Sequence, residues 1–347
     1  MSNNCEWIRK TLAHCQGMPT PFNFDFSPPA RAAVESHYGA GPIEERLDFP
    51  IRMTGPSTIK PLYASPDVYG PNLKDEFGVT WTTNRLDRGA PVGPCLPEPS
   101  LAGYIFPDPD ASYRYAEIGE WCRRHQSSFR VIWVGDLWER ATFMRGMEGI
   151  LTDLLLEPRF VRALLRGLAD YILETMRILF DRFQFEAVAI SDDYGTQRSL
   201  VMSPQTWREV IKPLLKEIYD YAKSNGRVVF HHSCGNVESI MRDFLEIGLD
   251  ILHPIQPEAM DILKLKAEFG ADLTFCGGLG TQDLLPHASP AVVRESTRKL
   301  AQEMGKGGGY ILEPGITLQA DVPLDNLVAM IDEARAWGSQ RVKVKPG

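Results

Sequence analysis

The sequence predicts an α/β protein, a closed TIM (β/α)8 barrel carrying an N-terminal elaboration. Two observations carry this expectation. Through the second half of the chain, six short, near-continuous apolar runs alternate with long segments of helical periodicity, the pattern of buried parallel strands joined by covering helices. A chain of 347 residues also has the length for one large barrel with insertions. We read residues 1–347 as a single TIM-barrel domain, with 27–109 as an irregular insertion.

Taken in order, "PFNFDF" (21–26) is the expected first strand. The segment 27–109 is rich in Pro and Gly and weakly periodic, so it is expected to supply loops and a few short elements. The later strands are "FRVIWVG" (129–135), "EAVAIS" (186–191), "RVVFHHS" (227–233), "LDILHP" (249–254), "DLTFCGG" (272–278) and "GYILEP" (309–314). The stretch 158–183 repeats apolar residues at helical spacing. Two further helices begin after the N-cap candidates Ser203 and Ser289, each followed by a proline suited to the first turn. No strand runs into G-x-G-x-x-G, which removes support for a dinucleotide fold. "GKGGG" (305–309) follows a helix and precedes a strand, so it reads as a helix stop rather than a phosphate loop.

The composition narrows the function classes. A net charge of −8 argues against sequence-independent nucleic-acid binding, which needs a basic footprint. No apolar run reaches membrane-spanning length, and "MSNNCEWIRKTLAHCQG" lacks the apolar core of a signal peptide, so a soluble cytoplasmic protein is expected. The six cysteines form no C-x-x-C pair, and no disulfide framework is expected.

In parallel barrels the reactive groups stand at the C-terminal strand ends. There the sequence places Asp136, Trp138 and Glu139; Asp192, Asp193 and Tyr194; His232 and Cys234; then His253, Cys276 and Glu313. Residues i and i+2 of a strand share a face, so His232 and Cys234 point one way and His231 the other. H-x-C offers Zn²⁺ an imidazole and a thiolate, and Cys276, His253 and Glu313 are candidates for a third ligand. The bland reading of the pair is a satisfied buried histidine beside an inert cysteine. Of Asp192 and Asp193 only one can face the site, as acid, base or partner of a metal-bound histidine. Gln197 follows in the same loop.

The segments from "ISDDYGTQRSL" through "HHSCGN" to "LHPIQP" (190–257), and from "FCGGLGTQDLL" through "YILEPGITLQ" to "DEAR" (275–335), resemble the uroporphyrinogen decarboxylase superfamily, with "DEFGVTW" (75–81) a weaker match. The resemblance implies a TIM barrel and one of two chemistries. These are metal-free porphyrinogen decarboxylation and zinc-dependent methyl transfer involving a corrinoid protein. The decarboxylases' R-Q-A-G-R-Y motif is missing from "FNFDFSPPARAAVESHYG". The methyltransferases' H-x-C is matched by His232 and Cys234. Their frequent third ligand, a cysteine shortly after P-G, is here Ile316 in "EPGITLQ", which leaves Cys276 or Glu313 to compensate.

The expectation is therefore a zinc-dependent methyltransferase moving methyl from a small O- or S-methyl donor, such as a methoxylated aromatic, to a corrinoid. The chain has no D-x-H-x-x-G stretch, so the cobalamin is expected on a partner protein. Asp192, Asp193 and Glu139 are the catalytic candidates; Tyr194, Trp138, Phe143 and Gln197 are the substrate-binding ones. The competing expectations are a metal-free decarboxylase of a porphyrinogen-like polycarboxylate and a non-catalytic binding relative. Homodimerisation is left open.

Overall fold

The computed structural model describes residues 4–39 and 41–338. Among the described residues ten strands form: β1 (Ile51–Thr54), β2 (Asn72–Lys74), β3 (Thr80–Thr82), β4 (Pro91–Gly93), β5 (Phe129–Gly135), β6 (Ala187–Ser191), β7 (Val228–His232), β8 (Ile251–Ile255), β9 (Thr274–Leu279) and β10 (Tyr310–Pro314). Seven of them make one parallel sheet in the order β1-β5-β6-β7-β8-β9-β10. β2, β3 and β4 make a separate antiparallel sheet. Among the described residues no helix is long and apolar enough to cross a membrane.

The expected closed eight-stranded barrel is not what forms. The sheet curls through 230° and remains an open half-barrel, its edges 10 Å apart. The reason lies in "PFNFDF". This segment reaches β10 through Asn23 N→Leu312 O (3.0 Å) and Leu312 N→Pro21 O (2.8 Å), but it makes isolated bridges at Phe22 and Phe26 instead of a ladder. Pro21 has no N–H to give, and Pro28 and Pro29 already open the next helix, Pro28–Tyr38. Toward β1 the seam is filled by rings. Phe24 and Phe22 meet Phe49 edge-on at 5.5 and 5.8 Å between centroids. At the β1 edge the buried Arg52 guanidinium donates to the carbonyls of Glu44, Phe49 and Ile51.

Strand parity sorts the sheet's two faces. Phe129, Val131, Ala187, Ala189, Phe230, Ile251 and Ile311 fill the inside of the curl, with Ile8 of the helix Asn4–Leu12 packed among them. The alternate residues Ile132, Val188, Ile190, Val229 and Leu252 join the large outer core beneath the helices. The longest helix, Pro158–Arg182, buries an amphipathic stripe there. Ser203 and Ser289 cap their helices by accepting from Thr206 N (3.0 Å) and Val292 N (3.4 Å).

The segment 27–109 is more built than its composition suggests. Asp75 organises it: Oδ1 accepts from Phe77 N (3.0 Å) and Val79 N (2.9 Å), and Oδ2 from Trp81 Nε1 (2.9 Å) and an Arg140 guanidinium nitrogen (2.7 Å). Arg140 belongs to the helix Trp138–Arg145 that follows β5. The small antiparallel sheet is thereby fastened to the C-terminal edge of the large one.

Candidate functional site

The inward-facing rows become polar at their C-terminal ends. Trp133, Ser191, His232, His253 and Glu313 continue the positions that are apolar one turn of the pleat earlier. His231 faces outward. Its Nδ1 lies 2.8 Å from Tyr219 Oη, and its ring stacks on Tyr194.

Two triads of potential ligands result, Asp193/His232/Cys234 and His253/Cys276/Glu313, each with its ligand atoms within 4.8 Å of one another. In the first, His232 Nε2 stands 3.5 Å from Cys234 Sγ and 3.5 Å from Asp193 Oδ1. Asp193 also accepts from Cys234 N at 2.8 Å. In the second, Cys276 Sγ donates to Glu313 Oε2 at 2.9 Å, and His253 Nε2 lies 3.8 Å from the same oxygen. A contact between His232 Nδ1 and His253 Nδ1, 2.9 Å, joins the two groups. The structure thus places the H-x-C pair with Asp193, and puts Cys276, Glu313 and His253 together in the neighbouring triad.

Glycines hold the two loops that carry the first triad. Gly235 has φ +80°, and a Cβ there would stand 2.4 Å from Gly195 C. The backbones after β6 and β7 can approach this closely only without side chains. Gln256, which the sequence analysis passed over, braces the same loop: its Oε1 accepts from Gly235 N (2.6 Å) and its Nε2 donates to Gly315 O (3.3 Å). Asn23 was passed over as well, and its Nδ2 donates to Glu313 Oε1 at 3.3 Å. A polar residue between two phenylalanines in "FNF" was the available signal.

The electrostatics follow from burial against these contacts. Burial opposes charge on His232, but the hydrogen bonds of Asp193 and Cys234 lift it to about 10. Burial favours a neutral Asp193, yet the His232 and Cys234 contacts hold its carboxyl below the usual range. His253 is pushed well down by burial and by its neighbour His232. Burial raises Glu313 to about 7 against its bonds from Cys276 and Asn23, and raises the Cys276 thiol well up. Glu139 Oε2 accepts from Ser191 Oγ at 2.8 Å, and burial, then Asp193 and Asp136, lift its carboxyl to about 7.

The remaining candidates are dispersed. Asp192 is fully buried and accepts from Leu137 N and Glu139 N (both 2.9 Å) and from Tyr194 Oη (2.8 Å). It ties the start of the helix after β5 to the end of β6. Tyr194 and Trp138 are fully buried in the outer core. Phe143 is half-buried, edge-on to Trp81 at 4.9 Å. Gln197 is exposed. Ile316 is 40% exposed.

The first triad suits zinc. It offers one nitrogen, one sulfur and one oxygen, the three ligand types that zinc takes. Ligands about 2.0–2.3 Å from a tetrahedral centre lie about 3.5 Å apart, the spacing found around His232 Nε2. The 2.9 Å approach of Cys276 to Glu313 is instead that of a hydrogen-bonded pair. A neutral imidazole carries one proton. If His232 donates Nδ1–H to His253, its Nε2 is free for a metal, and His253 Nε2 then carries the other ring's proton.

The family model for uroporphyrinogen decarboxylase (URO-D) matches residues 134–337. Uroporphyrinogen decarboxylase from Pseudoalteromonas atlantica is 24% identical over 220 residues, 59% of this chain and 58% of that protein. The Psychromonas ingrahamii enzyme of the same name is 22% identical over 262 residues, 69% of this chain and 70% of that protein. Among solved structures, a methyltransferase from Methanosarcina mazei shares the fold with TM-score 0.72 at 16% identity, over 96% of this chain and 98% of that one.

Proposed function

The chain belongs to the uroporphyrinogen decarboxylase family, and on that premise we propose that it is a zinc-dependent methyltransferase passing a methyl group from a small O- or S-methyl donor to the cobalt of a corrinoid on a partner protein. The observation that carries this reading is the Asp193/His232/Cys234 triad, with nitrogen, sulfur and oxygen converging at the C-terminal edge of the sheet. The fold shared with the Methanosarcina methyltransferase supports it.

His232 Nε2, Cys234 Sγ and Asp193 Oδ1 would hold the zinc. Bound there, the metal would supply Lewis acidity that makes a methyl-bearing heteroatom a better leaving group. His253 orients His232 through the Nδ1 contact. Glu139, lifted to about 7, is the group suited to deliver a proton to the departing heteroatom at neutral pH. Cys276 and Glu313 keep His253 in place from behind.

The test is metal analysis followed by methyl transfer to free reduced cobalamin. The expected result is about one zinc per chain, lost in His232→Ala and Cys234→Ala, with transfer lost alongside it. A metal-free protein that decarboxylates uroporphyrinogen would end the proposal in favour of its main rival.

A further inference from the structure

Cys234 stands beyond the ladder that fixes His232. β7 ends at His232, and Ser233 N still bonds His253 O at 2.7 Å, but Cys234 and Gly235 lie outside any helix or strand. Gly235 takes φ +80°, so the chain turns sharply directly after the sulfur-bearing residue. What aims the Cys234 side chain is therefore the pair of rigid peptide planes flanking its Cα, since those planes set its φ and ψ.

Each of these planes is held by one side chain. Asp193 Oδ1 accepts from Cys234 N at 2.8 Å, and Gln256 Oε1 accepts from Gly235 N at 2.6 Å. Asp193 is itself a proposed ligand, so zinc would draw on the oxygen that holds the first plane. Gln256 holds the second plane with a neutral amide that has no such second duty.

The amide of Gln256 is fixed at both ends. The residue directly follows β8 and is 4% exposed, and its Nε2 donates at 3.3 Å to the carbonyl of Gly315, which directly follows β10. The side chain thus joins the β7 loop to the β10 loop past β9, which lies between β8 and β10 in the sheet. Turning the amide over would set its NH2 against the Gly235 N–H and its oxygen against the Gly315 carbonyl, so the two partners determine its orientation.

We propose that Gln256 is a positioning residue for the zinc centre: through Gly235 N it aims the Cys234 thiolate at the metal, and through Gly315 O it anchors that aim to the loop after β10. The inference rests on the zinc reading of the Asp193/His232/Cys234 triad and adds to it a residue outside the ligand set. Without this brace the Cys234–Gly235 peptide can rotate, and the sulfur leaves the 3.5 Å spacing from His232 Nε2 that suits a tetrahedral ion.

The test compares Gln256→Met with Gln256→Glu. Methionine keeps the length of the side chain but offers Gly235 N no oxygen. Glutamate keeps that oxygen and gives up the amide donor to Gly315 O. Both are expected to lower the urea midpoint, because both lose the Gly315 arm. Zinc affinity, measured by competition with a chelator, should fall about 10–100-fold in Gln256→Met and stay close to that of the unaltered chain in Gln256→Glu. With cobalt(II) in place of zinc, the visible bands of a tetrahedral thiolate site should be retained in Gln256→Glu and weakened in Gln256→Met. In the metal-free protein, hydrogen exchange at the Gly235 amide should be slow in the unaltered chain and in Gln256→Glu, and fast in Gln256→Met. Undiminished zinc affinity in Gln256→Met would overturn the proposal and leave the zinc reading standing. Equal losses of affinity in the two variants would also overturn it, by showing that Gln256 acts through stability alone. If the unaltered chain takes up no zinc while its Gly235 amide is protected, the zinc reading falls, and the role of Gln256 at the metal falls with it.

Discussion

Replacing His253 with phenylalanine separates orientation from ligation at the metal triad. Phenylalanine keeps a ring against Phe230, whose centroid lies 5.1 Å away, and removes both the Nδ1 partner of His232 and the longer, 3.8 Å contact of His253 Nε2 with Glu313. A buried N–H left without a partner costs about 1–3 kcal/mol. At about 1.4 kcal/mol per factor of ten, zinc affinity should fall about five- to 150-fold. That range brackets the roughly 10–100-fold loss usual when a partner behind a metal ligand is removed. The assay is competition for zinc against a chromophoric chelator at fixed pH, with the unfolding midpoint of the metal-free protein measured beside it. Cys234→Ala supplies the limit of a lost ligand. If His253→Phe binds zinc as tightly as the unaltered chain, the shared Nδ1 contact does not orient His232. If it binds as poorly as Cys234→Ala, then His253 is itself a ligand and the two triads have been divided in the wrong place.

Three further outcomes are expected. Cys276→Ser should retain about one zinc per chain, because its sulfur belongs to the triad assigned a supporting role; loss of zinc would transfer the site to that triad. Asp192→Ala strands Leu137 N, Glu139 N and Tyr194 Oη, so urea unfolding should show a loss of roughly 2–4 kcal/mol, and a change within error would show that the helix after β5 does not depend on this carboxylate. Glu139 has its folded pKa raised to about 7 from 4.5. Its contribution is therefore complete below about 4.5 and is lost as pH rises toward 7, by about 3 kcal/mol in all. Metal-free Glu139→Gln should flatten that decline between pH 5 and 8 in denaturant titrations, and superimposable wild-type and variant profiles would rule the argument out.

What could be read in the sequence was local and periodic. Each of the six apolar runs after residue 128 coincides with a strand, two of which (β8 and β9) extend one residue beyond the run, because continuous apolar stretches bounded by glycine and proline have few other uses. Alternation along β7 separated His232 from His231 without any knowledge of the partners. Alternation also required Asp192 and Asp193 to part, though it could not say which would turn inward. The long-range features were illegible. β1 has four residues, "IRMT", inside a segment of weak periodicity. Closure of the sheet depended on whether 21–26 could pair on both sides, and neither proline spacing nor hydropathy measures a 10 Å gap. The grouping of Asp193 with His232 and Cys234, and the reach of Gln256 to Gly235 and Gly315, arise where segments far apart in the chain meet.

The open seam has a consequence for how the molecule behaves in a crowd. A sheet that does not close on itself offers a strand-shaped template to any neighbour, including its own copies. Here Arg52 ties the Ile51 carbonyl of β1 to the carbonyls of Glu44 and Phe49 beside it, and the rings of Phe22, Phe24 and Phe49 pack against one another in the seam. The gap is thus closed to recruitment without being closed by a ladder. The fold escapes the aggregation hazard of a free edge by placing one cation and three aromatic rings in the seam.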